Sequence, residues 1–259
     1  MTRLSKLSRS VEGRCVLITG AGSGMGRATA HLFADENALV AVTDRDESAV
    51  DAVVKEITEA GGTAKGWLLD VADKESIETV VDEIAVHFGR LDCVVNNAGI
   101  VAGGSLDSEN FERQWEKAMD IMLTGPARIV RAALPYLRQS DAGRVVNIAY
   151  TEALGATPKG SPYAASKTGL VGLTRSFAVE FGKEGITVNC ICPGAVHTGL
   201  TKVIPEESKA IYSRRRIPVK RYADPEEIAH MTLSLCLPAA SYVNGAVFPV
   251  DGGLTIKNA

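Results

Sequence analysis

Short β-branched runs alternate along the chain with stretches of helical period. The apolar run Cys15 to Thr19 predicts a buried strand, Gly24 to Asp35 a helix, and Leu39 to Thr43 a second strand. The same beat predicts a helix over Glu47 to Ala60, a strand near Thr63 to Leu69, a helix over Lys74 to Phe88 and a strand over Cys93 to Asn96. Phe111 to Leu137 reads as one long helix kinked at Gly125 and Pro126, and Arg144 to Ala149 as a fifth strand. A helix from about Tyr163 to Gly182, a strand over Thr187 to Cys192, a helix from about Pro225 to Leu237 and a strand over Ala246 to Val250 complete the pattern. Strand, helix, strand at this spacing implies right-handed crossovers and a parallel sheet, here of seven strands. The one long irregular stretch, Pro193 to Tyr222, is expected to be a substrate loop lying over a site as a lid.

Residues 1–10 read as a tail and 11–259 as one domain, with no linker, repeat or low-complexity tract. The 259 residues are 46% hydrophobic, which excludes a disordered chain. A balance of 28 Lys+Arg against 31 Asp+Glu argues against nucleic acid or an anionic membrane as partner and leaves a small molecule. The first ten residues lack the apolar core of a signal peptide, and no apolar run approaches the roughly 18 residues of a membrane span. A cytoplasmic protein is therefore expected. Cys15, Cys93, Cys190, Cys192 and Cys236 lie mostly in apolar runs and read as buried thiols rather than as a metal site.

Candidate chemistry begins after the first strand. In the run Thr19-Gly20-Ala21-Gly22-Ser23-Gly24-Met25-Gly26, glycines let the backbone turn tightly and approach a pyrophosphate, which the free N–H groups and dipole of the following helix would meet. Asp44 lies 18 residues beyond Gly26, at the end of the second strand, where a carboxylate can accept from an adenosine ribose and would repel a 2′-phosphate. NAD(H) is therefore expected in preference to NADP(H). Arg45 beside it either is solvated, lies against the adenine or helps to tolerate a phosphate. Tyr163 and Lys167 stand four residues apart at the start of a helix, on one face, an arrangement in which an ammonium is expected to lower a phenol pKa for general acid/base work on an alcohol or ketone.

These motifs, with Asn96-Asn97-Ala98-Gly99, Pro193-Gly194 and Val250-Asp251-Gly252-Gly253, stand in the order and at the separations of the short-chain dehydrogenase/reductases, which the chain resembles from about Val11 to Gly253. The resemblance implies a doubly wound, Rossmann-like α/β fold with helices on both faces, usually a homotetramer, that passes hydride between a nicotinamide and a carbonyl or alcohol carbon. It implies that Tyr163 donates or accepts the proton, and that Lys167 holds the nicotinamide ribose and depresses the tyrosine pKa. It further implies that Asp70 and Val71 border the adenine, that Asn97, Ala98 and Gly99 line the cofactor path, and that Pro193, Val196 and Thr198 contact the nicotinamide. Gly20, Ser23, Gly24, Met25 and Gly26 complete the expected cofactor set.

Two positions depart from that pattern. Tyr150 stands thirteen residues before Tyr163, where the family carries a Ser that hydrogen-bonds the substrate oxygen; a phenol there overshoots that oxygen or fills the substrate's volume. Met122, in Met122-Leu123-Thr124-Gly125, replaces an Asn that supports a proton-relay water, and a thioether neither holds water comparably nor bends a helix by hydrogen bonding. Altered or reduced activity is expected, with Thr151 or Tyr150 as an alternative hydroxyl. The competing readings are an NAD-binding protein, natural or engineered, with little catalysis, and a nucleotide-binding methyltransferase that would leave Tyr163 and Lys167 unexplained. For substrate, an apolar pocket accepting a neutral alcohol or ketone is expected. The basic run Arg214-Arg215-Arg216 with Lys220-Arg221 suggests an anion as the alternative, and His197 is expected to be exposed.

Overall fold

The computed structural model describes residues 4–258. Its core is a single seven-stranded parallel sheet in the order β3-β2-β1-β4-β5-β6-β7. The strands are β1 (Cys15–Thr19), β2 (Leu39–Asp44), β3 (Thr63–Leu68), β4 (Cys93–Asn96), β5 (Arg144–Ile148), β6 (Thr187–Pro193) and β7 (Val247–Val250). The helices are α1 (Gly24–Asp35), α2 (Glu47–Glu59), α3 (Lys74–Phe88), α4 (Phe111–Met119), α5 (Gly125–Leu137), α6 (Ser161–Phe181), α7 (Glu206–Arg216) and α8 (Pro225–Cys236).

The inner strands β1, β4, β5 and β6 are buried from end to end, as strands covered on both faces must be, whereas the edge strand β3 is mostly exposed or half-buried. The period of two along a strand then divides the core. Leu17, Ala41, Val94, Val145 and Val188 point to one face and pack with Ile77, Ile84, Ile129 and Leu137 of α3 and α5. Val16, Ile18, Val40, Val42, Val95 and Val146 point to the other, against Phe33, Val53, Ile57 and Leu235 of α1, α2 and α8. Registers Val16↔Cys93, Leu17↔Val94 and Ile18↔Val95 bring β1 beside β4, where the strand order reverses. A crevice outside the carboxyl ends of the strands opens at such a reversal.

Two sequence expectations are corrected here. The stretch between Pro193 and Tyr222 is not irregular: after a short turn at Gly199–Thr201 it forms α7. The long helix over Phe111 to Leu137 is interrupted by a wide π turn at Asp120–Thr124, in which the Gly125 N–H reaches back five residues to the Asp120 carbonyl. Pro126 has no N–H to offer the Met122 carbonyl, so a rung of the α ladder is missing there. The bend thus forms without the Asn whose absence at Met122 suggested a straighter helix. The tail is also partly anchored, because the Ser8 carbonyl accepts from Ala239 N–H at 2.9 Å. No helix among the described residues is long and apolar enough to cross a membrane.

Candidate active site

The glycine loop is built by close approach. A Cβ on Gly20 would lie 2.9 Å from the Ala98 Cα, and one on Gly26 would lie 2.1 Å from the Gly20 carbonyl oxygen, so neither position accepts a side chain. Asn97 locks the loop to β4: its Nδ2 donates to the carbonyls of Thr19 (2.9 Å) and Gly20 (3.2 Å). Its backbone N–H and that of Ala98 both donate to Thr19 Oγ1 at 3.0 Å. The half-buried Asn97 side chain thus braces the loop, and Gly99 beyond it is exposed.

The first turn of α1 contains no acidic residue, and Ser23, exposed at its N-cap, makes no side-chain cap. By contrast α2 and α3 are capped by Asp46 and Asp73, and α8 by a capping box of Asp224 and Glu227. The unsatisfied N–H groups of α1 thus remain for an anion, and this terminus fits the pyrophosphate of a dinucleotide. Met25 packs half-buried against the core behind the loop. Asp44 Oδ2 accepts from Gly22 N–H at 3.1 Å and Oδ1 from Asp46 N–H at 3.2 Å. Each oxygen keeps a lone pair for a ribose hydroxyl, beside an exposed Arg45. Asp70 is exposed and turns the chain through its Oδ1 to Ala72 N–H (2.9 Å), whereas Val71 is buried in the core. Across the crevice, Thr198 faces Gly24, whose Cβ would lie 3.2 Å from the Thr198 Cβ. Pro193 and Val196 are buried, and Val196 bridges to Ala223.

Tyr163 and Lys167 lie on the first turns of α6, which runs beneath the carboxyl end of β5. Lys167 is 3% exposed, and its Nζ donates to the Ile148 carbonyl at 2.8 Å, lying 5.8 Å from the centre of the Tyr163 ring. Burial lowers its pKa to about 8, offset in part by the thiols of Cys190 and Cys192. The expected depression of the Tyr163 pKa does not occur in this geometry. Burial, reinforced by Tyr150 and Glu152, pushes the phenol up, while the Lys167 ammonium is aimed at the Ile148 carbonyl at the end of β5.

Tyr150 packs edge-on against Tyr163, ring centres 5.8 Å apart at 82°. Burial pushes its phenol up as well. Met122 is fully buried beside the same crevice: a Cβ on Gly99 would lie 3.9 Å from both the Met122 Sδ and the Lys167 Nζ. Beyond Tyr150 opens a cavity of about 390 Å³, lined among others by Thr151, Glu152, Tyr212 and Tyr222. More of the cavity's lining surface is apolar than polar, with the rings of Tyr150, Tyr212 and Tyr222 beside Ala195 and Ile204, and Glu152 with several hydroxyls adds polar groups to it. The basic run does not enter it: Arg221 pairs with Glu227, and Lys220 donates to the Arg214 carbonyl. His197 is exposed, its ring 5.2 Å from that of Tyr222.

The family model described as enoyl-(acyl carrier protein) reductase matches residues 20–255. The chain belongs to the short-chain dehydrogenase/reductase family. It is 36% identical to a 3-oxoacyl-[acyl-carrier-protein] reductase FabG of Thermotoga maritima, covering 95% of this chain and 99% of that one. It is also 36% identical to the meso-2,3-butanediol dehydrogenase of Serratia marcescens, covering 95% and 96%. Among solved structures, a gluconate 5-dehydrogenase from Burkholderia cenocepacia in complex with NADP and tartrate superposes with a TM-score of 0.90 at 28% identity, covering 96% of this chain and 98% of that one. The chain is thus an oxidoreductase of the dehydrogenase/reductase kind with a Rossmann-like single domain.

Two groups in this short-chain dehydrogenase/reductase escape a reading of the sequence. A buried chain runs from Asn96 Nδ2 to Asn147 Oδ1 (2.8 Å) and from Asn147 Nδ2 to Thr174 Oγ1 (2.9 Å), tying the ends of β4 and β5 to α6. Its signal was available, since two asparagines at corresponding ends of adjacent parallel strands face each other. Glu152, Tyr212 and Tyr222 meet only through tertiary folding, and no local pattern marks them.

Proposed function

We propose that this protein is an NAD(H)-dependent oxidoreductase that interconverts a secondary alcohol and a ketone. The observation that supports this reading is the pairing of Tyr163 with Lys167, whose Nζ lies 5.8 Å from the phenol ring, next to Tyr150, which lines the cavity. When bound, the nicotinamide supplies or takes up hydride. In reduction, Tyr163 gives its hydroxyl proton to the carbonyl oxygen; in oxidation, it accepts the alcohol proton. Burial pushes its pKa up, so a positive charge beside the phenol is what would ease the proton transfer. Lys167 would hold the nicotinamide ribose hydroxyls, and its ammonium would supply a positive charge beside the phenol that lowers its pKa. Gly20, Ser23, Gly24, Met25 and Gly26 cradle the pyrophosphate. Asp70 and Val71 border the adenine, Ala98 and Gly99 the central path, and Pro193, Val196 and Thr198 the nicotinamide.

NAD rather than NADP is favoured by Asp44, whose carboxylate lies against the glycine loop and opposes a second anionic group. The NADP in the gluconate dehydrogenase relative makes the phosphorylated cofactor the competitor to measure against. A second reading, a dinucleotide-binding protein with little turnover, is favoured by Tyr150, whose ring occupies space beside Tyr163 at the place of the family's Ser. Steady-state oxidation and reduction with both cofactors over a panel of ketones and alcohols separates these readings. Turnover with NAD(H) supports the first, cofactor binding without turnover the second, and a preference for NADPH overturns the argument from Asp44. A cytoplasmic homotetramer completes the proposal. Its assembly is tested by light scattering of the eluted protein.

A further inference from the structure

The cavity beyond Tyr150 has a charge character of its own. Among its lining residues there is one ionisable carboxylate, Glu152, and no Lys, Arg or His. Glu152 Oε1 accepts from the Thr157 hydroxyl at 2.5 Å. Its Oε2 is shut off from water and has no hydrogen-bond partner among the described residues. A buried acceptor without a donor is costly until one meets it. The torsion that aims a carboxylate is broad, so either oxygen can turn toward a group in the cavity. Its field reaches the reaction centre, since after burial Glu152 is among the groups that hold the Tyr150, Tyr163 and Tyr212 phenols up.

We propose that Glu152 makes this site selective for alcohols and ketones that present a hydrogen-bond donor, an ammonium or a hydroxyl, beside the reacting carbon, and makes it reject those that present an anion there. The physical reason is asymmetric. A carboxylate already lacking a partner gains a charge-assisted bond from an ammonium, a weaker one from a hydroxyl, nothing from a methyl, and repulsion from a second carboxylate. The rings of Tyr212 and Tyr222, whose centres are 6.1 Å apart, add aromatic surface that tolerates a cation.

The inference rests on the reading of the site as an alcohol/ketone oxidoreductase, and its test keeps the two apart. Four matched secondary alcohols differ in one substituent: 1-amino-2-propanol, 1,2-propanediol, 2-butanol and 3-hydroxybutyrate. The expected order of kcat/KM is that order, with the amino alcohol at least about tenfold above 2-butanol and the carboxylate below it. Glu152→Gln, which keeps the shape and removes the charge, should shrink the ratio of amino alcohol to carboxylate by about tenfold or more. Persistence of the diol preference in that variant identifies the hydroxyl as a donor read without charge. The same four compounds are titrated calorimetrically into the NAD-loaded protein, parent and variant. Tighter binding of the donor-bearing compounds without turnover supports the role of Glu152 and contradicts the oxidoreductase reading. Turnover that is equal across the series, equal or absent binding of all four, or a ratio unchanged in Glu152→Gln overturns the role of Glu152.

Discussion

Tyr163 is held by burial in a state that favours its proton, and Lys167 by burial in one that disfavours its own. Removing the Tyr163 hydroxyl alone, as Tyr163→Phe, should lower kcat/KM by about 10² to 10⁴ while leaving NAD affinity, read by fluorescence titration, unchanged. The amine of Lys167 also leaves a signature in stability. Its folded pKa of about 8 lies below the ordinary 10.5, so between those values the unfolded chain binds more protons and this group's contribution to stability rises with pH. Denaturant titrations of the parent and Lys167→Met from pH 8 to 10 should therefore converge in stability as pH rises, over a full range on the order of 3 kcal/mol, before the raised phenols oppose the trend above pH 10. Parallel curves would contradict it. At Tyr150, the edge-on ring beside Tyr163 fills the space of a small donor. Tyr150→Ser should speed turnover of at least one ketone, by up to about 10² to 10³ where the regained hydroxyl reaches the carbonyl oxygen. A serine form no faster on any ketone defeats that account.

At the scale of elements, strand and helix positions could be read where burial is local and periodic. β1, α1, α3 and β4 follow from β-branched runs, a glycine turn and an Asp cap. Helix α7 could not be read, because the residues it buries, Lys209 and Ser213, are polar and leave no apolar period. Lys209 is held by Glu206 Oε1, three residues before it, at 2.6 Å. The kink was legible at Gly125 and Pro126, but its π form was not, because it also involves a tight contact at Gly125, where a Cβ would meet the Val71 carbonyl at 2.5 Å. Gly125→Ala should destabilise the fold by about 1 to 3 kcal/mol in urea unfolding, because neither backbone can give way.

Across the whole molecule, the two ends of the sheet do different work. The carboxyl ends carry the glycine loop, Tyr163 and the cavity; the opposite end carries Asp92, fully buried, which accepts from Arg90 Nε (2.6 Å), Ser140 Oγ (2.5 Å) and Cys15 N–H (2.9 Å). Asp92→Ala should cost about 3 to 5 kcal/mol in denaturant unfolding while leaving the NAD affinity of the folded protein unchanged, because the pair it breaks lies away from the crevice. The cofactor half of the site was legible because each of its parts is a short motif read in order. The substrate half was not, because Glu152, Tyr212 and Tyr222 come from separate elements and only the fold makes them neighbours.

The central claim is that Tyr163 carries NAD-linked interconversion of an alcohol and a ketone in this crevice. The most direct measurement is the substrate-dependent change in NADH absorbance for the parent and Tyr163→Phe, with NADPH in parallel. Turnover with NADH by the parent and its loss in the variant at undiminished cofactor binding are expected. Equal turnover by parent and variant, or turnover confined to NADPH, would contradict it.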